Sequence, residues 1–371
     1  MRMTGDRPSP HSAPAAASRR RNWPEPLHLH LAHMMQASAR AGPDMLETAL
    51  AGLEAYHRHP YRRPPDAHPV RAAEGSSRLL DYGGDGTPVL FVPSLVNPAH
   101  ILDLMPGHSL LAHVRAAGSH PVLLDWGTPG ADERGFDIEA YAMRLVRLIA
   151  ALAAESGSPV TVVGYCMGGT LAVAAGLAAA GSVARLALLA APWNFHAGAE
   201  RHRLLALAAM PLLPLMEEAE TVPMALVQSF FMALDPEAGL RKYARFARLD
   251  PTGAEAEFFV ALEDWVTGGP PLAGPMAAAV LRDWYLLNLP GQGLWRVGGR
   301  RIDPADLSPP LFAAVPRADR IVPPAGALGV CGGLAATSIV RPASGHVGMI
   351  VGRRACEELW TPLAQWLEES L

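Results

Sequence analysis

A cysteine at the centre of a Gly-x-Cys-x-Gly pattern is the residue of this chain whose surroundings point most clearly to chemistry. Cys166 lies in the stretch VVGYCMGGTLA, residues 162–172, between a β-branched run and an Ala/Leu-rich run. The pattern is typical of a nucleophile elbow, where a strand turns sharply into a helix and holds the nucleophile at strained backbone angles. Glycines two positions before and after Cys166 leave such a turn uncrowded, and the helix N-terminus favours a thiolate. The stretch therefore predicts a cysteine nucleophile.

Two other interpretations of this region are weaker. Glycine-rich turns between a strand and a helix also occur in nucleotide sites, but the Gly-Lys-Ser/Thr sequence of a P-loop does not follow Cys166. The uncharged run 156–184 is long enough to span a membrane, yet it contains one proline and six glycines. We therefore divide this run into a strand, a glycine turn and a helix.

An acid and a histidine follow the cysteine in the chain order that a catalytic triad on such a fold requires. Asp319 comes just after the predicted strand 309–316, in FAAVPRADRIVPP, and His346 comes just after the predicted strand 336–344, in VRPASGHVGMIVG. Taken alone, Asp319 is compatible with a turn residue and His346 with a loop histidine. Together with Cys166 they predict a triad whose three members lie at one edge of a parallel sheet.

Two backbone amides complete the predicted site. The N–H group of Met167, directly after the nucleophile, is expected to be one oxyanion donor. The second is expected in the loop after VLFVPS, from Leu95 or Val96, and we take Val96 as the working assignment.

Short apolar runs that alternate with helical segments indicate a parallel sheet wrapped by helices. The runs read as buried strands are 88–94, 120–127, 159–166, 185–193, 309–316 and 336–344. The segments read as helices between them are Leu110 to Ala117, Ile138 to Ala154 and Thr170 to Ala180. The fold class predicted from this alternation is α/β.

The remaining chain divides by composition into three further parts. Residues 1–26 are rich in Arg, Pro and Ser and are predicted to be a disordered tail. Residues 27–74 are predicted to form a helical N-terminal extension, and residues 195–297, which are helical and rich in Met and Leu, a cap or lid over the site. Extra core packing is the alternative for the last segment. The α/β core is then 75–194 together with 298–371.

Composition excludes several classes of function. The net charge of −4 gives no reason to expect nucleic acid as a partner, and three cysteines in 371 residues do not make a disulfide framework. The N-terminus lacks the apolar core of a secretion signal, so a cytoplasmic location is expected. Five histidines between residues 28 and 59 lack accompanying ligands, so we expect surface histidines, no metal and no bound cofactor.

The same residues resemble a known family. GYCMGGTLA is similar to the cysteine-containing lipase box of polyhydroxyalkanoate synthases, and VLLDWGTP resembles their Asp-Trp-Gly segment. Further likenesses cover residues 75–371 and include the following segments: VLFVPSLVNPAHILDLMPGHSLLAHV, LEDWVTGGPPLA, VGGRRIDPADLSPPLFAAVPRADRIVPP and ASGHVGMIVG. Arg320 departs from the pattern, because the family often has histidine there. The short N-terminal part is nearer to the short type of synthase.

The resemblance implies an α/β-hydrolase fold with a helical cap and an acyltransferase that polymerises 3-hydroxyacyl-CoA into polyester. Carried over to this chain, it makes Cys166 the acyl acceptor, His346 the general base and Asp319 the partner of His346. It also implies a second synthase subunit or a homodimer as partner, and a location at polyester granules in the cytoplasm.

Two other functions remain open at this stage. A cysteine-triad hydrolase, either an acyl-CoA thioesterase or an intracellular polyester depolymerase, would use the same three side chains. A non-catalytic homologue that binds granules is the third alternative.

Overall fold

A computed structural model describes residues 21–332 and 337–369 of the chain. Its centre is a sheet of eight strands, which we number in chain order: β1 Val70–Glu74, β2 Ser77–Asp81, β3 Pro88–Val92, β4 His120–Asp125, β5 Val160–Tyr165, β6 Val183–Leu189, β7 Leu311–Ala314 and β8 Thr337–Val340. Their order across the sheet is β1-β2-β4-β3-β5-β6-β7-β8. The six strands from β4 to β8 run parallel, and β1 and β2 are antiparallel to their neighbours. The predicted α/β-hydrolase fold is therefore confirmed.

Helices cover both faces of the sheet and the edge that carries the strands' carboxyl ends. They are α1 Leu27–Ala41, α2 Pro43–Arg58, α3 Leu110–Ala116, α4 Ile138–Ser156, α5 Met167–Ala178, α6 Glu200–Ala209, α7 Leu213–Glu218, α8 Met224–Leu234, α9 Ala238–Phe246, α10 Ala254–Thr267, α11 Gly274–Ala279, α12 Pro324–Leu328, α13 Gly348–Val351 and α14 Thr361–Glu368. Two π-helical turns, Val280–Leu286 and Cys356–Trp360, continue α11 and precede α14.

The core consists of two apolar layers, one on each face of the sheet. Because β3 and β7 are buried along their whole length, they have no polar face. One layer joins the sheet to α4 and α5, and the other joins it to α3 and α14. Both layers hold the parallel strands in register, so the loops after these strands meet at one edge.

The N-terminal region differs from its predicted boundaries. Residues 1–20 of the predicted disordered tail lie outside the described residues. The helical extension ends at Arg58, and Val70–Glu74 is already the edge strand β1, which pairs with β2. The proposed end of the extension at residue 74 is therefore wrong, because β1 belongs to the sheet.

The helices of the N-terminal extension are fastened to the region between β6 and β7. Arg21 forms an ion pair with Asp264 on α10, with 2.5 Å between Nε and Oδ1, and Tyr56 of α2 donates a hydrogen bond of 2.7 Å to the same oxygen. On the neighbouring residue, Glu263 accepts a hydrogen bond of 2.7 Å from Tyr243 of α9. These contacts fix α10 to Arg21, α2 and α9.

Across residues 21–332 and 337–369, the helices are all too short or too polar to cross a lipid bilayer. The uncharged run 156–184 is divided between β5, α5 and the start of β6, as its glycines predict.

Candidate active site

Cys166 lies at the sharp turn between β5 and α5. Its backbone has φ 54° and ψ −129°, a left-handed conformation that is strained for a residue with a side chain. The amide of Cys166 donates to the carbonyl of Leu189 at 2.9 Å, so the turn is anchored to β6. The sulfur is half-buried, and α5 begins at the next residue, three positions before the predicted start at Thr170.

Three glycines lie at positions of this turn where the packing leaves no space for a side chain. A Cβ atom on Gly164 would lie 2.4 Å from Cα of Gly169, and one on Gly168 would lie 2.2 Å from the carbonyl oxygen of Val92. A Cβ atom on Gly169 would lie 2.4 Å from Cβ of Ala191. The strand, the helix and the end of β3 therefore approach one another at backbone distance, which fixes the direction of the sulfur.

Asp319 and His346 lie together at the same edge of the sheet. The carboxylate oxygen Oδ2 of Asp319 is 2.7 Å from Nδ1 of His346, and both side chains are buried. The other oxygen, Oδ1, accepts hydrogen bonds of 2.8 Å from the amides of Ile321 and Val322. Because both oxygens are occupied, the carboxylate has one orientation, and this orients the imidazole.

The imidazole is also coupled to the cysteine. Burial lowers the pKa of His346, but the charges of Asp319 and Cys166 and hydrogen bonds to both side chains outweigh burial and raise it to about 10. His346 therefore retains its proton at neutral pH when it faces both groups. The structure brings the three residues of the predicted triad together: Asp319 faces Nδ1 of the imidazole, and Cys166 is near enough for its charge and a hydrogen bond to raise the pKa of His346.

The predicted oxyanion donors lie beside the nucleophile. As the first residue of α5, Met167 has an amide with no acceptor within the helix. The amide of Val96 donates to Oγ of Ser94 at 3.1 Å, whereas the structure gives the amide of Leu95 no hydrogen-bond acceptor in the part of the chain that it describes. The assignment of Val96 stays a prediction, and Leu95 remains its alternative.

The loop that carries these amides is tied to the helical region above it. Asn97, at φ 69°, donates from Nδ2 to the carbonyls of Trp265 and Val266, each at 2.8 Å. Its Oδ1 accepts from Gln228 of α8 at 3.1 Å. The side chain of Trp265 donates in turn to the carbonyl of Pro98 at 2.8 Å. The loop after β3 is therefore bound to both α8 and α10.

A cavity of about 340 Å³ extends from Met167 and Val96 into the helical region. Its walls are almost wholly apolar, and they come from α6, α7, α8, α11 and the π-helical turn that follows: Leu205, Leu212, Met216, Leu226, Val227, Phe230, Phe231, Ala277, Val280, Leu281 and Tyr285. Tyr285 lines this cavity together with Met167, and burial and the charge of Cys166 both raise its pKa above the usual range. Residues between 195 and 297 thus form most of the walls of a cavity that reaches Met167, the residue directly after Cys166.

Other chemistry-bearing residues do not join this site. Among residues 21–332 and 337–369, there is no cluster of three or more His, Cys, Asp or Glu side chains able to hold a metal ion. His30 and His59 are buried, so the expectation of surface histidines is wrong for these two. The Nε2 atom of His59 lies 2.8 Å from the carbonyl oxygen of Pro251. Burial raises the pKa of the Cys331 thiol, and Cys356 lies in the last π-helical turn.

Sequence reasoning missed Tyr285 as part of the cavity wall and Asn97 as the link between loop and helices. The sequence offers no signal for Tyr285, because it is one aromatic residue in a long helical region. For Asn97 a weak signal exists, since Asn directly before proline, in SLVNPAH, favours an unusual backbone conformation.

The fold and the arrangement of the site define a protein of the α/β-hydrolase fold with cysteine at the nucleophile position. Solved structures with this fold include a hydrolase from Pseudomonas aeruginosa, with a TM-score of 0.55, 14% identity and coverage of 82% of this chain and 100% of that one. An esterase from Thermogutta terrifontis has a TM-score of 0.51, 17% identity and coverage of 81% and 96%. No protein-family model matches the chain.

In sequence, the chain is similar to poly(3-hydroxyalkanoate) polymerase subunits PhaC, as its motifs predict. The subunit from Synechocystis is 27% identical over 295 residues, which are 76% of this chain and 78% of that protein. The subunit from Haloferax mediterranei is 27% identical over 307 residues, which are 80% of this chain and 62% of that protein. The chain thus spans less than two thirds of the length of the Haloferax relative.

Proposed function

We propose that the protein is an acyltransferase that polymerises 3-hydroxyacyl-CoA through a thioester on Cys166. The observation that carries this proposal is the cysteine at a strained elbow, coupled to His346 and Asp319 beside an apolar cavity. The names of its relatives support the choice of substrate class.

The first step exchanges one thioester for another. The sulfur of Cys166, having given its proton to Nε2 of His346, attacks the carbonyl carbon of the acyl-CoA. The oxyanion of the tetrahedral intermediate is stabilised by the amide of Met167 and one amide of the loop after β3. When the intermediate collapses, the CoA sulfur leaves and takes the proton from His346. The step is close to thermoneutral, so the acyl group stays activated.

The second step forms the ester bond. His346 takes the proton from the 3-hydroxyl group of the next acyl-CoA, and the hydroxyl oxygen attacks the carbonyl of the enzyme thioester. An oxoester forms, the bond to the Cys166 sulfur breaks, and the sulfur recovers its proton from His346. The lengthened chain, still a thioester of CoA, returns to Cys166 by repeating the first step. Throughout, Asp319 fixes the imidazole and stabilises its positive charge.

Water is the competing nucleophile in both steps. The walls between residues 195 and 297 are almost wholly apolar, with the hydroxyl groups of Ser229 and Tyr285 as exceptions, and this apolar lining favours transfer to a hydroxyl over hydrolysis. The proposal includes a location in the cytoplasm at the surface of the polyester that the enzyme makes. It also includes a second synthase subunit or a second copy as partner.

Incubation with 3-hydroxybutyryl-CoA tests the proposal, with CoA release and insoluble polyester followed together. A polymerase gives both products, a cysteine hydrolase gives CoA and the free acid, and a non-catalytic homologue gives neither. Cys166→Ala is expected to abolish acyl-enzyme formation, while Cys356→Ala, an equal change at an exposed thiol, is expected to retain it. Full turnover by Cys166→Ala would end the proposal.

A further inference from the structure

A long apolar segment on the outside of the protein has no function in the mechanism above. Residues 204–216 read LLALAAMPLLPLM and contain no charged side chain. They form the end of α6, a 3₁₀ turn and most of α7. Four of their large side chains are strongly exposed: Leu204 at 66%, Leu207 at 46%, Met210 at 50% and Leu215 at 64%. We call this surface the apolar face.

Soluble proteins rarely expose this much apolar surface in one segment without a partner. Five of the twelve large hydrophobic side chains exposed in the described part of the chain lie between residues 204 and 226. The clustering is therefore a property of this segment and not of the surface in general.

The apolar face is continuous with the cavity that begins at Met167, beside the nucleophile. Leu205, Leu212 and Met216 belong to the same segment and line the cavity from inside, while their neighbours in sequence point to solvent. Leu226 of α8 does both, because it lines the cavity and is 40% exposed. The wall of the cavity and the apolar face are thus two sides of one layer of side chains.

We propose that the apolar face docks on the surface of the polyester that the enzyme makes, so that the cavity opens directly onto bulk polymer. This inference rests on the proposed function. A chain attached to Cys166 outgrows a cavity of about 340 Å³ after a few units and has to leave through its mouth. A polyester is uncharged and apolar. Leucine side chains that pack against it are removed from water, which is favourable without any ionic contact.

The charge pattern favours polyester over a lipid surface. Helices that lie on membranes place Lys and Arg beside their apolar residues, where these pair with anionic headgroups. The apolar face has no such residue within its thirteen positions; Arg201 and Arg203 precede it, and Glu217 and Glu218 follow it directly. The two arginines and the two glutamates balance each other, so the flanks of the apolar face give anionic headgroups no net attraction, whereas an uncharged polyester needs none.

The test is a triple variant, Leu204→Gln with Leu207→Gln and Leu215→Gln, which leaves every cavity-lining side chain in place. The matched control is Met35→Gln with Leu50→Gln, which changes two side chains on α1 and α2 that are 65% and 40% exposed. Binding to poly(3-hydroxybutyrate) particles is measured by sedimentation, and binding to phosphatidylcholine vesicles with and without anionic lipid is measured in parallel. Light scattering gives the oligomeric state of each protein.

We expect the wild type and the control to sediment with the polyester particles. The triple variant should bind about 40-fold to 2,000-fold more weakly, from roughly half of the transfer free energy of three leucine side chains. Single-turnover CoA release should be unchanged in all three proteins. Should the triple variant misfold, Leu204→Gln and Leu215→Gln are tested singly, each with a smaller expected loss.

Three results would overturn the inference. One is undiminished binding of the triple variant to polyester. Another is equal loss of binding to polyester and vesicles, which would assign the face to lipid, and the third is a dimeric wild type beside a monomeric variant, which would assign it to a second copy. Failure of the proposed function looks different, because then no protein yields polyester from 3-hydroxybutyryl-CoA, whatever the particles show.

Discussion

Replacing Asp319 by asparagine removes one charge from beside His346 and leaves the shape of the side chain almost unchanged. In the wild type, Oδ1 accepts from the amides of Ile321 and Val322, and Oδ2 faces Nδ1 of His346 at 2.7 Å. An asparagine has to keep its oxygen on the two amides, because an NH₂ group cannot accept from them. Its NH₂ group then faces Nδ1 of His346.

This geometry forces the wrong tautomer on the imidazole. A ring nitrogen that faces an NH₂ donor has to be an acceptor, so the proton of neutral His346 moves to Nε2, on the side of Cys166. In that form the imidazole cannot take a proton from the thiol or from the 3-hydroxyl group. The loss of charge acts in the same direction, because the charge of Asp319 and its hydrogen bond raise the pKa of His346. The whole shift from 6.5 to about 10 corresponds to about 5 kcal/mol in favour of the imidazolium, and Asp319 and Cys166 share it.

The two steps of the reaction should respond differently. Ester formation needs a base for the 3-hydroxyl group, so we expect it to fall by about 10⁴, as in other triads with this substitution. Acylation should fall less, because a thiol is intrinsically nucleophilic and is partly ionised near neutral pH without help. The fraction of enzyme present as acyl-enzyme should therefore rise in Asp319→Asn.

Single-turnover CoA release and steady-state polyester formation measure the two steps separately, and a pH series adds a third observable. Acylation by the wild type should persist until the pH approaches about 10, where His346 loses its proton, and this limb should shift to lower pH in the variant. Asp303→Asn is the control, because Asp303 also accepts a backbone amide but lies on an exposed loop before β7. Polyester formation within a few-fold of wild type in Asp319→Asn would refute the reasoning.

Three other substitutions have outcomes that follow from the structure. Cys331→Ala and Cys356→Ala should retain near wild-type CoA release, because neither thiol belongs to the site; lost activity in a folded variant would contradict this. Glu133→Gln should lower the free energy of unfolding in urea by about 3 kcal/mol, because it leaves Arg144, 2.5 Å away and equally buried, without a full counter-charge. Burial raises the pKa of Glu133, but hydrogen bonds from two backbone amides and from Arg144 lower it to about 2. The wild type should therefore lose this stability as the pH falls from 4.5 towards 2, and the variant should not; equal acid sensitivity would contradict the assignment.

The parts of the fold that the sequence predicts are those where local pattern and packing agree. The buried strands are continuous apolar runs, and the elbow is specified by glycines whose Cβ atoms would collide with neighbouring backbone. Asp319 and His346 follow from chain order, because parallel strands bring their carboxyl ends to one edge. The predicted start of α5 was three residues late, since Gly168 and Gly169 are poor helix formers whose place is set by close approach.

Other features depend on contacts between distant residues. The strands β1 and β2 read VRAAE and SRLLD, and neither run shows the regular alternation or the apolar continuity of a strand. None of the five residues of β1 is fully buried. The burial of His30 arises only because α1 packs against α9. The hydrogen bond of the Val96 amide to Ser94 is likewise set by the fold of one loop, which no spacing in the sequence reveals.

The side chain of Asn97 makes reactivity depend on whether the protein is closed. It connects the loop that bears Leu95 and Val96 to the carbonyl end of α10 and to Gln228, so those helices cannot swing away without pulling the loop with them. If α8 and α10 moved away and exposed the Cys166 sulfur to water, the loop with Leu95 and Val96 would move with them. The site would then lose one of its two oxyanion donors. In the proposed reaction, such a link would protect the acylated enzyme from hydrolysis, because exposure of the sulfur to water and loss of the oxyanion donors would occur together.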